Sequence, residues 1–525
     1  MTKRSPRRLP ALILGLATVA ALPAGAQTLT MGISAAPASV DPHYNNGTST
    51  QTLTYQLFDV LFERQPDTTL APALAQSWKA ISDTVWEIKL RPGVTFTNGQ
   101  PFTAEDVAFS IGRAPNVPNA PASYGSAVRS VEKVEIVDPL TVHIHTKGPA
   151  PFLPIDLSIL AMVSRKVGEG ATTEDYNSGK AAIGTGPYRL SAYRANDTVE
   201  MVRNDAWWGP KPDWEKVTMK FLPNPGSRSA ALLSGGVDMI DLPSPNDLPR
   251  FQTDDRFRVW SHQGVRLVYL APNVSGETLP SATGNDGQPL AANPLKDVRV
   301  RTALSIAINR AGITKRVMQD TAAPNGQFLP PGAYSYASQV PVPPYDPAQA
   351  RKLLAEAGYP NGFKVVLPVS SNARPTDPVA AQAIAQMWTQ VGVQTSVETM
   401  PLAAYSPRAA KMEFAFSMFG WGAAGHSGHP LVNVVNTYDR AKLTGSFNRS
   451  GYSNPEVDEI TAKALSTMDD KERERLLTDA VALSMKDVAI IPLYQLTNFW
   501  VTRKGISYRP SAQDYTQAKE ASLDK

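Results

Sequence analysis

One segment of this chain reads Phe414-Ala-Phe-Ser-Met-Phe-Gly-Trp-Gly-Ala-Ala-Gly-His-Ser-Gly-His-Pro430. An apolar run of strand length, 414–419, leads into a glycine-spaced loop that begins at Gly420 and carries Trp421, His426 and His429. Glycine lets the backbone approach a ligand closely, and loops often carry binding residues. A tryptophan between two glycines has an open face for stacking. The alternative is a core strand whose tryptophan caps a hydrophobic cluster, and this segment alone favours neither.

Residues 1–26 have the three parts of a secretory signal peptide. A basic head is followed by an apolar run over 9–22 and by the cleavage site Ala24-Gly25-Ala26. Such a leader is too short to span a membrane as a helix. We expect cleavage after Ala26, export to the periplasm and no direct membrane insertion. A lipid anchor is not expected, because the chain has no cysteine.

Charge and composition exclude several classes of protein. The formal net charge of +4 equals the four basic residues of the leader, so the exported chain is nearly neutral and nothing suggests a nucleic-acid partner. The absence of cysteine excludes a disulfide framework and a thiolate metal site. The exported chain is long enough for roughly two to four domains, which core burial must hold together.

The region 297–486 alternates helices with single strands. Asp346 before Pro347 and Asn454 before Pro455 are typical helix starts. A strand is predicted at 393–397, and 414–419 is the next strand along the chain. This alternation predicts α/β layers with a largely parallel sheet, in which ligands bind at strand ends.

The first part of the chain contains a predicted strand at 85–90 and a hairpin at 131–146. His143 and His145 share one face of that hairpin and could bind a metal, but a solvated strand face is the preferred interpretation. Gly184-Thr-Gly186 is not a dinucleotide loop, because the third glycine is missing and Pro187 removes a donor.

Catalytic motifs are missing from the sequence. It has no Gly-x-Ser-x-Gly elbow, no His-Glu-x-x-His helix and no phosphate loop ending in Gly-Lys-Ser/Thr. The Trp421 loop carries no acid, although a pair of distant carboxylates stays open. We therefore expect a binder rather than an enzyme, with no cofactor and no bound metal.

Several segments occur in a characteristic order. They are Pro37 to Asn46, Leu70-Ala-Pro-Ala-Leu-Ala-Gln-Ser-Trp78, Trp86-Glu-Ile-Lys-Leu-Arg-Pro-Gly-Val-Thr-Phe96, Phe102-Thr-Ala-Glu-Asp-Val107, Gly184-Thr-Gly-Pro-Tyr188, Asn204 to Pro210, Asp297-Val-Arg-Val-Arg-Thr-Ala-Leu304, Ala357-Gly-Tyr-Pro-Asn-Gly362 and Ile491-Pro-Leu-Tyr494. Together they resemble the extracellular solute-binding proteins of family 5, which are the oligopeptide-, dipeptide- and nickel-binding proteins of ABC importers. The resemblance covers essentially the whole exported chain.

The resemblance implies an α/β, two-lobed periplasmic-binding-protein fold (type II, cluster C) with an extra subdomain in the first lobe and a hinge between the lobes. Lobe I would comprise 27–67, 183–264 and 493–525, the extra subdomain 68–182, and lobe II 265–492. The hinge would be two crossings, near 264–266 and 490–493.

The implied function is capture of a peptide-like or other small solute and its delivery to the permease subunits of an ABC transporter, by a monomer. The alternatives are a secreted hydrolase of peptides or glycans and a peptide-holding chaperone. The sequence does not name the ligand.

The resemblance also implies site residues. In peptide-binding relatives the tryptophan matching Trp421 lines the cleft, and an acid three residues later holds the ligand's amino terminus. Here that position is Ala424, so a free amino group at this end of the ligand is not expected. Two histidines on a glycine loop make an incomplete metal site, so His426 and His429 are interpreted as a polar wall.

Further candidates come from both lobes. Tyr405 matches another cleft aromatic, and Arg449 could pair with a ligand carboxylate, with a surface arginine as the competing interpretation. The facing loop of lobe I supplies three weaker candidates. The predicted ligand contacts are Trp421, Gly422, Tyr405, His426, His429, Ala424, Tyr44, Asn45, His43 and Arg449.

Overall fold

The computed structural model describes residues 27–374, 376–423 and 425–524, so the predicted leader and Ala424 lie outside the described residues. The strands are β1 Thr28–Ile33, β2 Phe62–Arg64, β3 Leu70–Pro72, β4 Ala75–Ser82, β5 Val85–Leu90, β6 Val131–Asp138, β7 Thr141–Thr146, β8 Tyr188–Arg194, β9 Thr198–Arg203, β10 Lys216–Phe221, β11 Met239–Asp241, β12 Phe257–Pro272, β13 Ala282–Thr283, β14 Ala322–Pro324, β15 Lys364–Ser370, β16 Gln394–Met400, β17 Phe416–Gly422, β18 Ile491–Arg503, β19 Ile506–Tyr508 and β20 Ala521–Leu523.

The helices are α1 Thr48–Leu57, α2 Ala104–Arg113, α3 Gly125–Val128, α4 Leu153–Leu157, α5 Arg165–Gly168, α6 Thr173–Asn177, α7 Pro225–Leu233, α8 Leu248–Thr253, α9 Val298–Ile306, α10 Arg310–Arg316, α11 Pro347–Glu356, α12 Asp377–Gln390, α13 Leu402–Ala410, α14 Gly428–Pro430, α15 Pro455–Ser466 and α16 Asp470–Lys486. Short 3₁₀ turns occur at Pro294–Lys296 and Ala518–Glu520, and a π-helical turn at Leu431–Val435. No helix in the described ranges is long and apolar enough to cross a membrane.

The largest sheet runs through both lobes in the order β17-β12-β18-β11-β1-β10-β9-β8, with β14 paired to β18. The long strands β12 and β18 pair with each other in both lobes, from Phe257↔Arg503 to Leu270↔Ile491. The register shifts between Gln263 and Leu267, at the crossing predicted near 264–266. Strands β12 and β18 are therefore continuous but irregular at this point.

The prediction of a largely parallel sheet is wrong for lobe II. The pairs β1–β10, β1–β11 and β15–β16 are parallel, but β12 pairs antiparallel with both β17 and β18. The physical reason is the double crossing. In the predicted division the chain enters lobe II along β12 and leaves it along β18, which requires these central strands to run in opposite directions, as observed.

Local predictions from helix capping are confirmed. The Asp346 side chain accepts a hydrogen bond from the Gln349 amide at 2.8 Å, at the start of α11. The Asn454 side chain accepts one from the Glu456 amide at 2.9 Å, at the start of α15. In both helices proline occupies the first turn, where its missing N–H costs nothing.

The extra subdomain contains the antiparallel sheet β4-β5-β7-β6, which includes the predicted hairpin. Ile88 on β5 and Ile144 on β7 are buried in its core. On the other face His143 Nε2 lies 3.6 Å from a Glu87 carboxylate oxygen, and His145 Nε2 lies 2.7 Å from Glu135. The two histidines thus pair with acids on a polar strand face.

Alternate residues of β12 fill two separate cores in lobe II. Val268 and Leu270 pack with the helices α9, α11 and α12, whereas Leu267 and Tyr269 face the cluster that includes α15 and α16. Trp421 packs against the second cluster. The pleat of the central strands therefore sets the side of the sheet on which the candidate site lies.

Candidate ligand-binding cleft

Strand β17 extends further than the sequence indicates and includes Trp421. The predicted loop was to begin at Gly420, but the strand extends to Gly422, because β12 pairs with it through Arg266↔Gly422. Trp421 lies opposite Leu267 in this ladder. The tryptophan is therefore held by a rigid strand rather than by a loop, and its ring is only partly buried.

Two rings flank the Trp421 indole. The Phe447 ring centroid lies 5.0 Å away and the His429 ring centroid 5.2 Å away. The indole N–H donates to His429 Nδ1 at 3.3 Å, which requires an unprotonated Nδ1. Burial, together with the charges of Arg64 and Arg129, lowers the pKa of His429 to about 4. The imidazole is therefore neutral at pH 7 and acts here as an acceptor.

His426 lies at the contact between lobe II and the extra subdomain. Its ring stacks on Phe152, with centroids 3.7 Å apart and planes 7° apart. Burial lowers its pKa well below the usual value, and the positions of His429, Arg64 and Arg473 act in the same direction. Its Nδ1 has no hydrogen-bond partner within the described chain. The neighbouring Gly425 faces Ile155, whose Cδ1 would lie 3.3 Å from an added Cβ, so the two parts meet closely.

Three arginines surround the glycines of β17 and the Phe447 ring. A Cβ on Gly420 would lie 2.6 Å from Nη1 of Arg374, whose Nη2 pairs with Asp377 at 2.6 Å. Arg266 packs beside Gly422 and pairs with Asp514 at 2.7 Å. A side chain at Gly420 would have to displace the Arg374 guanidinium, whereas a Cβ at Gly422 would make only ordinary contact with Arg266.

Arg449 differs from the other two arginines. Its guanidinium carbon lies 5.3 Å from the Phe447 ring centroid, and its Nη1 donates to the Ser446 carbonyl at 2.9 Å. Burial lowers its pKa, and no carboxylate in the described chain lies within ion-pair distance of it. This half-buried cation is thus available to an anionic ligand group.

An acid at the subdomain side of the contact was not identified from the sequence. Asp156 lies one helical turn after Phe152, with its amide bonded to the Phe152 carbonyl at 2.9 Å. Burial raises the pKa of its carboxyl to about 7, against the opposing influence of Arg129 and Arg64. The charges of the same two arginines also act on the pKa of His429.

Two predicted contacts lie in the interior. Tyr405 has no exposed surface, and its hydroxyl accepts from the Met418 amide at 2.6 Å. His43 is equally buried, with Nε2 2.8 Å from the Ala161 carbonyl oxygen, and burial lowers its pKa to about 4. Both side chains support the backbone around them, so the function proposed below does not use them.

The rest of the lobe I loop contacts its own lobe. Tyr44 and Asn45 are half-buried, and Asn45 Oδ1 accepts from the Gly47 amide at 2.7 Å. Asn45 also bridges to Ala122 of the subdomain. Ala424 lies outside the described residues. The structure thus brings together Trp421, Gly422, His426, His429 and Arg449, and adds Phe447, Phe152, Arg374 and Asp156.

Sequence reasoning missed these additions for identifiable reasons. Phe447 belongs to the segment that carries Arg449, and its position two residues earlier was the only available signal. Phe152 and Asp156 lie more than 250 residues before His429, and no motif links them to it.

No group of three or more His, Cys, Asp or Glu side chains in the described ranges is placed to hold a metal ion.

The similarity of the chain to known proteins identifies its family. Residues 69–442 match the family described as bacterial extracellular solute-binding proteins, family 5 Middle. The chain belongs to this family. A family 5 protein of this kind is the solute-binding component of an ABC importer, and neither a hydrolase nor a chaperone finds support among the relatives.

Individual family 5 relatives match along most of their length. Heme-binding protein A of Haemophilus influenzae is 28% identical over 486 residues, covering 86% of this chain and 84% of the relative. Glutathione-binding protein GsiB of Escherichia coli strain K12 is 28% identical over 521 residues, covering 95% and 97%. The solved structure of HbpA2 from Haemophilus parasuis has a TM-score of 0.80 at 25% identity, covering 95% of this chain and 100% of that one. These relatives are binding proteins rather than enzymes, and the two-lobed fold is shared.

Proposed function

We propose that this family 5 protein captures a small solute with an anionic or neutral end at Trp421 and delivers it to an ABC permease without turning it over. The observation that carries the proposal is the surroundings of the indole. A neutral imidazole and an aryl ring flank it, and Arg449 lies beside the aryl ring with no carboxylate partner among the described residues. A ligand carboxylate would supply that partner in a partly desolvated place, where charge-assisted hydrogen bonds are strong.

Glutathione is the first ligand class to test, because the relative named for it matches almost the full chain. It is a small peptide with more than one carboxylate, which suits a cleft that contains several arginines. Heme, named for the other relative, is the second class, and its large planar ring would suit the exposed Phe447 side chain next to Trp421.

The decisive experiment is a thermal-shift screen of the mature protein, followed by calorimetry. The panel contains glutathione, hemin, nickel–histidine, and dipeptides in three forms: free, N-acetylated and C-amidated. A ligand present at a hundred times its Kd should add about 2.7 kcal/mol of stability. We expect N-acetylated dipeptides to bind better than C-amidated ones. The opposite order would overturn the proposal that the site binds an anionic ligand group. Formation of more product than protein would overturn the proposal that the ligand is not turned over.

A variant of Asp156 adds a second test to the same ligand screen. If free dipeptides bind tightly, Asp156 is the acid that would receive their ammonium group, in place of the acid absent from the Trp421 loop. Asp156→Asn should then weaken free dipeptides and leave N-acetylated ones unchanged. Equal effects on both would show that Asp156 has no part in ligand choice.

We further propose that the lobes comprise 27–67 with 183–264 and 493–525, the subdomain 68–182, and lobe II 265–492, and that ligand closes them. The proposed crossings lie near 264–266 and 490–493, and the irregular register of β12 on β18 between Gln263 and Leu267 supports a hinge at the first of them. Small-angle scattering should show compaction on ligand addition. The protein is proposed to be a periplasmic monomer cleaved after Ala26, which the mass of the exported protein and its sedimentation would test.

A further inference from the structure

A second cavity lies within lobe I and its subdomain, away from Trp421. Its volume is about 380 Å³, and all of its lining residues come from segments 55–73, 158, 207–210 and 509–520. No residue of lobe II lines it. Closure of the lobes is therefore not needed to form it, although one lining residue, Arg64, also acts on the pKa values of His426 and His429.

Aromatic rings form much of the cavity wall. Tyr55 and Tyr515 meet edge to face, with centroids 4.9 Å apart, and Trp207 and Trp208 lie beside each other with centroids 5.6 Å apart. Both indole N–H groups donate to one oxygen of Asp59, at 3.2 Å from Trp207 and 2.7 Å from Trp208. The tryptophans thus hold a carboxylate at the wall and present their rings around it.

The charged residues of the lining do not all pair with one another. Lys519 pairs with Glu63, and Arg509 pairs with Glu520. The remaining two, Asp59 and Arg64, have no ion-pair partner in the part of the chain that the structure describes. Arg64 Nε donates to Ser158 Oγ at 2.7 Å and Nη2 to the Ile155 carbonyl at 3.0 Å. One unpaired charge of each sign therefore lines the same cavity.

One further polar group at the wall lacks a hydrogen-bond partner in the described chain. The Gln517 side chain is 8% exposed, and its Oε1 has no hydrogen-bond partner within the described residues. Gln517 lines the cavity, but this oxygen has almost no accessible surface, so the side-chain amide must rotate for the oxygen to accept a hydrogen bond from a ligand. Burial also raises the pKa of Asp59 to about 6, which a ligand cation would reverse.

We propose that this cavity is a second binding site, for a small zwitterion of amino-acid size with an aromatic or large apolar side chain. The ligand ammonium would lie at the Asp59 carboxylate and Gln517 Oε1, inside the aromatic wall, where cation–π attraction adds to the ion pair. The ligand carboxylate would lie at Arg64, and its side chain would pack on the Trp and Tyr rings.

Calorimetry on the mature Trp421→Ala protein tests this site without interference from the interlobe cleft. The probes are L-phenylalanine, phenethylamine, which keeps only the ammonium, and 3-phenylpropionate, which keeps only the carboxylate. We expect L-phenylalanine to bind with one-to-one stoichiometry, and each half-ligand to bind at least tenfold more weakly. No binding of L-phenylalanine at 10 mM, or equal binding of the three probes, would overturn the proposal. The threshold of 10 mM lies roughly tenfold above the Kd of a weak small-molecule site.

Substitutions test whether L-phenylalanine binds in this cavity. Asp59→Asn keeps the shape and the indole acceptor but removes the charge, so L-phenylalanine should bind at least tenfold more weakly. The matched control is Asp241→Asn, another buried acid of lobe I whose pKa burial raises to about 6, which does not line the cavity and should leave the affinity unchanged.

A second variant covers the case in which Asp59→Asn does not fold, as judged by circular dichroism. Gln517→Met removes an unsatisfied acceptor, so the protein should stay folded while L-phenylalanine affinity falls at least threefold. Unchanged affinity in a folded Asp59→Asn or Gln517→Met protein would overturn the assignment. Because the Trp421→Ala background is used throughout, failure here is distinct from failure of the interlobe proposal.

Discussion

Trp421 and the Trp207–Trp208 pair occupy two different kinds of tryptophan site in one protein. The Trp421 indole donates to the neutral imidazole of His429, with Arg449 nearby, between lobe II and the space facing lobe I. The other two indoles donate to the buried carboxylate of Asp59, inside lobe I. The residue type is the same, but the acceptor and the neighbouring charges differ. In the two proposed sites, the group bound by the indole N–H, rather than the ring, therefore sets the ligand charge that we expect each to favour.

The largest expected effect comes from removing the ring at the interlobe site. Trp421→Ala should weaken binding of glutathione, used as probe, by roughly a hundredfold, because a flanked aromatic anchor at a ligand interface contributes a large share of the affinity. Calorimetry measures the change. Trp421→Phe is the control and should retain most of the affinity. A loss below about threefold in Trp421→Ala would show that the ligand does not contact this ring.

An intermediate effect should appear in the pH dependence of that affinity. Burial lowers the pKa of His429 from 6.5 to about 4, so lobe closure is opposed as pH falls below 6.5. It raises the pKa of Asp156 from 3.8 to about 7, so closure is opposed as pH rises above 3.8. Burial also lowers the pKa of His426, so protonation of His426 opposes closure in the same way as protonation of His429. The two kinds of group therefore give opposite slopes that partly cancel.

Single substitutions should separate these slopes. Between pH 7.5 and 5.0 we expect the affinity to fall roughly threefold in the natural protein and roughly thirtyfold in Asp156→Asn, after allowance for solvent screening. In His429→Gln it should stay nearly constant. Titration calorimetry at four pH values provides the measurement. Parallel profiles for all three proteins would show that these groups stay solvated when ligand binds.

The smallest expected effect concerns the cation without a partner. Arg449→Gln should weaken glutathione about tenfold and reduce the salt dependence of binding, because it removes one charge-assisted contact. Arg449→Lys should recover only part of the loss, since a lysine lacks the planar fork. Arg449→Gln should leave the binding of L-phenylalanine in the lobe I cavity unchanged. An equal loss at both sites would indicate a general folding defect and contradict the separation of the two sites.

Much of the fold follows from local sequence. Asp346 and Asn454 form the predicted caps because an oxygen-bearing side chain before a proline can reach the free amides of a helix within one turn. In the hairpin 131–146, the alternating apolar residues Val142 and Ile144 of β7 are buried on one face, as the sequence pattern predicts. Ordered motifs spread along the chain indicated the family and the two lobes, and the match over 69–442 confirms that family.

What the sequence determined by itself is therefore the family, the helix starts and the presence of Trp421 on or beside a strand. Only the tertiary structure decided the direction of β12 and β18, the extension of β17 to Gly422, and the burial of His43 and Tyr405. It alone brings Phe152 to His426, with Asp156 one turn after Phe152, and Asp59 to Trp207 and Trp208. The physical reason is range: caps and strand alternation act over a few residues, whereas burial, charge neighbourhoods and strand direction depend on contacts between residues far apart in the chain.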